Sequence, residues 1–220
     1  MTAAEIAEIE VDNIAKLFAA FAGTTLTEQT SKLRSEMATR YTTAMWGQHR
    51  GIAAFAAGRP YVDANGKYRH TEFGQRFYNW PADAERCITE QLAICADGKD
   101  VYVNPMLRTA SQRQKHTGAG GRWAWVDIDG PLSDARKATL ASLGEACRLI
   151  SSGTGHHAYV QLDEWRTPEE VETINIGLRN ALDGDHKFSN ESLLRLPGTY
   201  NLKPLILRNE EPRLVQAVTL

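Results

Sequence analysis

The sequence predicts a mixed α/β or α+β domain, and three observations predict it. Helix start and stop signals alternate with apolar, β-branched runs along most of the chain. One run, Arg122-Trp123-Ala124-Trp125-Val126-Asp127-Ile128-Asp129-Gly130, is aromatic and apolar until its end and reads as a buried strand. With 42% hydrophobic and 24% charged residues, 220 residues suffice for one well-cored domain, or one domain with a small appendage.

Residues 3–22 set Ile6, Ile9, Ile14, Leu17, Phe18 and Phe21 at near-helical spacing, with Gly23 positioned to stop the helix. Its apolar face packs on the body of the domain or docks a partner. From Thr24 to Met45 the chain is polar, with Lys32, Arg34 and Arg40, and reads equally as a second helix or a mobile linker. Trp46 to Trp80 reads as short strands and turns, with Asn65-Gly66 a hairpin signal between Tyr61-Val62 and Tyr68. Pro81-Ala82-Asp83-Ala84-Glu85 opens a helix that runs to about Ala96 and ends at Asp97-Gly98, and Val101-Tyr102-Val103 is a short strand. Ser133-Asp134 caps a helix from Ala135 to about Cys147, and a strand follows over Cys147 to Ile150. Thr167-Pro168-Glu169-Glu170 starts another helix, ending near Leu182. The last β-like run, Leu214 to Thr219, ends without a cap or tail, as in a piece cut from a longer protein.

Composition excludes several classes. A net charge of −2 rules out a generally cationic nucleic-acid binder, so any such binding needs a local patch. The loop from Arg108 to Arg122 is that candidate: it holds Arg108, Arg113, Lys115 and Arg122 and no acid, while Gly118, Gly120 and Gly121 favour mobility. Cys87, Cys95 and Cys147 make no CxxC pair or zinc spacing and read as buried thiols. No apolar run approaches bilayer-spanning length, and the acidic start (Glu5, Glu8, Glu10) is unlike a signal peptide, so a cytoplasmic protein is expected.

Three stretches carry chemistry. Strand periodicity puts Asp127 and Asp129 on one face and Ile128 on the other, so the two carboxylates can share a cation. Ser151-Ser152-Gly153-Thr154-Gly155-His156-His157 is a small-residue loop entering a strand, where glycines let backbone N–H groups approach an anion. Asp183-Gly184-Asp185 precedes Leu194-Arg195-Leu196-Pro197-Gly198-Thr199-Tyr200-Asn201-Leu202-Lys203, whose arginine has a planar fork suited to phosphate oxygens.

In this order and spacing, D-x-D, S-G-x-G-x-H, then an acid and L-R-L-P-G-T-x-N-x-K resemble the archaeo-eukaryotic primase superfamily over roughly residues 100 to 205. The closest likeness is to its primase-polymerase (PrimPol) branch in phage and plasmid replication proteins. The resemblance implies a primase core with a modified RRM-like sheet and an N-terminal αβ module, the active site lying in the cleft between them. The first 80 residues carry no matching motif; the chain is read as a helical appendage (1–45) and a catalytic domain (46–220), the latter split into an αβ module of about 46–120 and an RRM-like module of about 121–220. The resemblance also implies primer synthesis and extension on a single-stranded DNA template from NTPs or dNTPs, with Mg²⁺ or Mn²⁺ held by Asp127, Asp129 and Asp185. Asp183 remains an alternative third acid. His157 rather than His156 would meet the nucleotide's phosphates, with Ser152, Gly153, Gly155 and Arg195; Pro197 and Gly198 would shape the turn. Lys203 reads as a nearby point charge or as an ordinary surface lysine. The basic loop would reach template or triphosphate, and a helicase is often fused beyond the position of Leu220.

Other phosphate-handling readings fit less well. There is no G-x-x-x-x-G-K-[ST] loop. Rolling-circle nicking enzymes need a His-hydrophobe-His pair and a helical tyrosine nucleophile, whereas His156 and His157 are adjacent and Tyr159 falls on a strand. A non-catalytic DNA-binding module has no need of clustered acid beside a polyanion.

Overall fold

The computed structural model describes residues 28–219, so the helix expected over residues 3–22 lies outside the described part. The described chain runs α1 (Glu28–Trp46), β1 (Gly51–Val62), β2 (Tyr68–Trp80), α2 (Ala84–Ala96), β3 (Asp100–Val103), β4 (Gly121–Asp129), α3 (Asp134–Ser142), β5 (Cys147–Ser151) and β6 (Gly155–Arg166). It continues with α4 (Pro168–Leu182), β7 (Leu194–Arg195), β8 (Tyr200–Asn201), α5 (Lys203–Arg208), β9 (Arg213–Leu214) and β10 (Gln216–Val218). The strands form two four-stranded sheets, ordered β2-β1-β3-β7 and β10-β5-β6-β4, and a small β8-β9 pair. Every ladder is antiparallel, so the mixed fold expected from sequence is of the α+β kind.

The stretch left open between helix and linker is a helix. Ala38, Tyr41, Met45 and Trp46 of α1 recur at helical spacing and are buried in the main core, with Trp46 Nε1 donating to the Pro105 carbonyl at 2.8 Å. This helix runs through residue 45, where the appendage was expected to end. The hairpin at Asn65-Gly66 forms as expected, because Asp63 Oδ1 accepts from the Asn65 and Lys67 N–H groups (2.9 Å each) and Gly66 takes a left-handed φ of +74°. Its arms are long, 12 and 13 residues, rather than short strands. Helix α3 stops at Ser142, about a turn before its expected end, where Gly144 turns the chain left-handed (φ +57°). Thr167 and Glu170 make a reciprocal cap at the start of α4. The three cysteines are free thiols; Cys87 and Cys95 are buried and Cys147 is half-buried. No helix among the described residues is long and apolar enough to cross a membrane.

Strand β4 is the divider between two cores. Val126 and Ile128 face a cluster with Leu140 of α3 and Leu182 of α4, while Trp123 and Trp125 face the main core, which also takes Phe55 and Val103 from the first sheet. The alternation that separates these residues carries Asp127 and Asp129 onward along the tryptophan face. Strand β7 comes from late in the chain yet pairs with β3 of the first sheet, Arg195 lying opposite Tyr102. Residues from both sheets therefore meet beyond the tryptophans.

Candidate active site

Asp127 and His157 are cross-strand partners on β4 and β6, as are Trp125 and Tyr159 one step deeper. One aromatic pair thus floors a site that begins with an acid and an imidazole. His156 pairs with Ile128 instead and belongs to the opposite face, so of the two rings His157 is the one on the Asp127 face. Asp127 is 5% exposed and its Oδ1 lies 3.5 Å from His157 Nε2; Asp129, at the strand's end, is exposed.

The electrostatics follow from burial against charge. Burial works to raise the Asp127 carboxyl, but His157, the Lys187 ammonium and Arg195 outweigh it and hold it below the usual carboxylate range. Burial pushes the His157 imidazole down to about 4 against the pull of Asp127, so the ring is neutral at neutral pH. His157 Nδ1 is buried without a hydrogen-bond partner. An orphaned ring nitrogen of this kind costs about 1–3 kcal/mol, and His156 Nδ1 on the opposite face is left in the same state.

The third acid is placed by the backbone. Asp185 N–H donates to the Asp127 carbonyl at 2.8 Å, adding a bond to the free edge of β4. Gly184 has to be glycine here, because a Cβ would stand 2.4 Å from Val126 Cγ2. Asp183 turns away: it caps α4 in a left-handed conformation and pairs with Arg136 at 3.0 Å. Of the two alternatives, Asp185 is therefore the one adjoining Asp127. Among the described residues, however, no three His, Cys, Asp or Glu side chains gather closely enough to hold a metal ion. Asp185 Oδ1 accepts from the His186 N–H, and a lysine, Lys187, puts its Nζ 2.7 Å from Asp127 Oδ2. The donor set still suits a hard divalent cation, since it is made of carboxylate oxygens, and the ammonium shows that the Asp127 position attracts positive charge.

Arg195 is not a free fork. Its two terminal nitrogens bond Asp100 Oδ1 and Oδ2 at 2.6 and 3.2 Å, and its guanidinium lies 5.0 Å over the Tyr102 ring. A buried guanidinium needs a counter-ion, and Asp100, fully buried at the start of β3, supplies it. The charge of Arg195 nonetheless acts on both Asp127 and His157. Asp100 and Lys187 are the residues sequence reasoning missed; the one available signal was an acid opening the Asp100–Val103 strand.

The glycine loop is a tight turn between β5 and β6 whose glycines serve the protein's own packing. Gly153 has φ +93°, and a Cβ there would press on Asn201 and Arg213 at 3.0 Å; at Gly155 it would meet the Ile128 carbonyl at 2.4 Å. Ser152 N–H is spent on the Gly155 carbonyl, and the Ser152 carbonyl accepts from Asn201 Nδ2 at 2.7 Å. The PGT-x-N segment is thus bolted to the loop that precedes His157. Lys203 opens α5, its N–H donating to Asn201 Oδ1 at 2.9 Å.

The basic loop needs correction. Arg108 is fully buried and gives its N–H groups to Thr117, Asn190 and the Gln114 carbonyl, with burial lowering it to about 10. It is a structural anchor and has no face for DNA. Arg113 is partly buried and donates to the Glu191 carbonyl; Lys115 pairs with Glu172 at 2.9 Å while its side chain stays 65% exposed; exposed Arg122 donates to the Asp163 carbonyl at 2.6 Å. The loop expected to be mobile is pinned by its own arginines. A cleft of about 1230 Å³ lies elsewhere, between α1, the hairpin ends and α2, and includes none of Asp127, His157 or Arg195. Chemistry rather than size locates the site.

No family model matches the chain, and no curated protein matches it. Solved structures do. The fold is similar to that of primase RepB′ (TM-score 0.58, 15% identity, 84% of this chain and 56% of that one). The catalytic domain of primase RepB′ in complex with initiator DNA gives 0.55 and 16%, with 84% of each chain covered. The AEP domain of the cyanophage S-2L primase-polymerase gives 0.52 and 11%, over 80% of this chain and 85% of that one. The chain spans 56% of the length of the RepB′ primase chain. At these identities the likeness establishes the fold, the one shared with these primase and primase-polymerase domains.

Proposed function

We propose that this chain, built on the archaeo-eukaryotic primase fold, is a metal-dependent primase-polymerase domain. It would start and extend nucleic acid on a single-stranded DNA template from nucleoside triphosphates, in phage or plasmid replication in the host cytoplasm. The observation that carries this reading is the pairing of Asp127 with His157 across β4 and β6, with Asp185 bonded to the same strand at Asp127.

Asp127, Asp129 and Asp185 would hold Mg²⁺ or Mn²⁺, whose charge lowers the cost of bringing a 3′-hydroxyl against an α-phosphate and stabilises departing pyrophosphate. The protein's own groups do the rest. His157 would donate an imidazole N–H to a phosphate oxygen. Arg195, held by Asp100, supplies positive potential in the direction of Asp127 and His157. Ser152, Gly153 and Gly155 shape the turn that sets His157 in place, and Lys203, at the start of α5, would add a point charge to the nucleotide site. Lys115 and Arg122, the most exposed cations of the basic loop, are left to meet the template, with Arg113 behind them.

Nicking chemistry has no support from Tyr159, the tyrosine on the His157 strand: it is 1% exposed, bonded to the Tyr41 hydroxyl at 3.1 Å, and raised by burial well above its usual range. The test is a primer-free single-stranded template incubated with labelled ATP or dATP and Mg²⁺ or Mn²⁺, its products resolved on a gel. A ladder of short products is expected. An empty lane with every combination, or cleavage of supercoiled plasmid that leaves protein attached to DNA, rejects the proposal.

A further inference from the structure

We propose that Lys187 is a positioning residue that holds the Asp127 carboxylate in the metal-free protein and yields it to an entering divalent cation. The inference rests on the metal-dependent reading above.

Two carboxylates on one face of a strand repel unless a positive charge stands between them and solvent. Arg195 is committed to Asp100, so the ammonium in contact with Asp127 is that of Lys187, 2.7 Å from Oδ2. The two partners are unequal: the Asp127 side chain is 7% exposed and that of Lys187 is 40% exposed. The lysine therefore reaches an almost enclosed carboxylate from water and can return to water by giving up one charge-assisted bond. Its backbone need not follow. Trp125 Nε1 donates to the Lys187 carbonyl at 2.9 Å, and the Asp185 N–H is bonded to the Asp127 carbonyl at 2.8 Å, so the segment on either side is fastened to β4. Only the four-carbon stem has to swing. Lys187 thereby steadies the Asp127 carboxylate and, by the same interaction, competes with the ion and weakens its binding.

The test is a titration with Mn²⁺ in the absence of nucleotide and DNA, following the signal of the free ion by electron paramagnetic resonance. Lys187→Met should bind Mn²⁺ about tenfold more tightly than the unaltered protein, the loss of one charge-assisted bond. Lys187→Arg, which keeps the charge, should stay within about twofold of it, and Asp127→Asn should bind most weakly. Unchanged or weaker binding by Lys187→Met overturns the inference, as does equal tightening by Lys187→Arg. Mn²⁺ binding that ignores Asp127→Asn, or fails in every chain including the unaltered one, overturns the metal reading itself and this inference with it. Should Lys187→Met not fold, reductive methylation of the unaltered protein decides the matter. Mn²⁺ should speed modification of Lys187 several-fold while leaving Lys137 unchanged, and an unaltered or slower rate at Lys187 rejects its release.

Discussion

Asp100 and Asp127 are both buried acids on strands, one on each sheet, and their surroundings differ in kind. Asp100 is saturated: Arg195 bonds both oxygens, Tyr68, His70 and Tyr102 bond one of them, and the Leu202 N–H bonds the other. Asp127 has a lysine that reaches in from solvent and a histidine at 3.5 Å whose other nitrogen is unpaired. A carboxylate whose lone pairs are all met by fixed donors is part of the frame. One held by a retractable ammonium is open to a ligand. By taking Arg195, the closed acid also fixes where positive potential falls on the open one.

The largest effect that would sharpen this contrast is on turnover. Replacing Asp127 and Asp129 together by Ala should cut nucleotide incorporation by about a thousandfold or more while the circular dichroism spectrum stays the same. Near-normal incorporation would place the chemistry elsewhere. For Asp100 the loss should appear in stability: Asp100→Asn leaves the Arg195 charge unpaired and should cost about 3–5 kcal/mol in urea unfolding at pH 7.

The pH dependence has a definite sign. Burial works to raise the Asp100 carboxyl, but Arg195 and the hydrogen bonds from His70 and Tyr68 hold it well below the carboxylate range. Its contribution is thus present above the unfolded value of about 3.9 and is lost as pH falls through the lower folded value. The stability gap between the unaltered protein and Asp100→Asn should close on acidification below about pH 4. A gap that widened there would reverse the assignment.

A smaller effect separates the adjacent histidines. His157→Ala should raise the apparent Michaelis constant for nucleotide about tenfold and His156→Ala hardly at all; the reverse order in steady-state kinetics would put the wrong ring in the site. The smallest change tests how redundant the closed acid's donors are. Tyr102→Phe removes one 3.3 Å bond from Asp100 and one of 3.3 Å with His70 Nε2, and thermal unfolding should register less than about 1 kcal/mol. A loss as large as that of Asp100→Asn would mean the donors are not interchangeable.

Much of the frame was legible in order along the chain because its signals are local. The β4 strand shows a period of two, the α4 start shows a Thr-Pro-Glu-Glu cap, and Asn65-Gly66 marks its hairpin; each depends on residues a few positions apart. Helix α1 was not legible, since its sequence is polar and its buried residues acquire meaning only against the strands they cover. Arg108 misled for a related reason. In a segment with three Gly and two Gln it looks solvated, yet its carbonyl and amide partners at Asn190 lie 82 residues away. Arg195 was found as a cation near the site, but its partner Asp100, 95 residues earlier, was not.

What the sequence alone determined is the set of side chains able to do chemistry and the face each takes on its strand, since alternation is a property of the strand itself. Asp127, Asp129 and His157 follow from that. The tertiary structure decided which charges are already spent: that Asp100 claims Arg195, that Asn190 and Thr117 claim Arg108, and that Lys187 comes to rest on Asp127. Pairing between buried charges depends on which distant segments are brought within about 3–4 Å, and neither spacing nor composition encodes that distance.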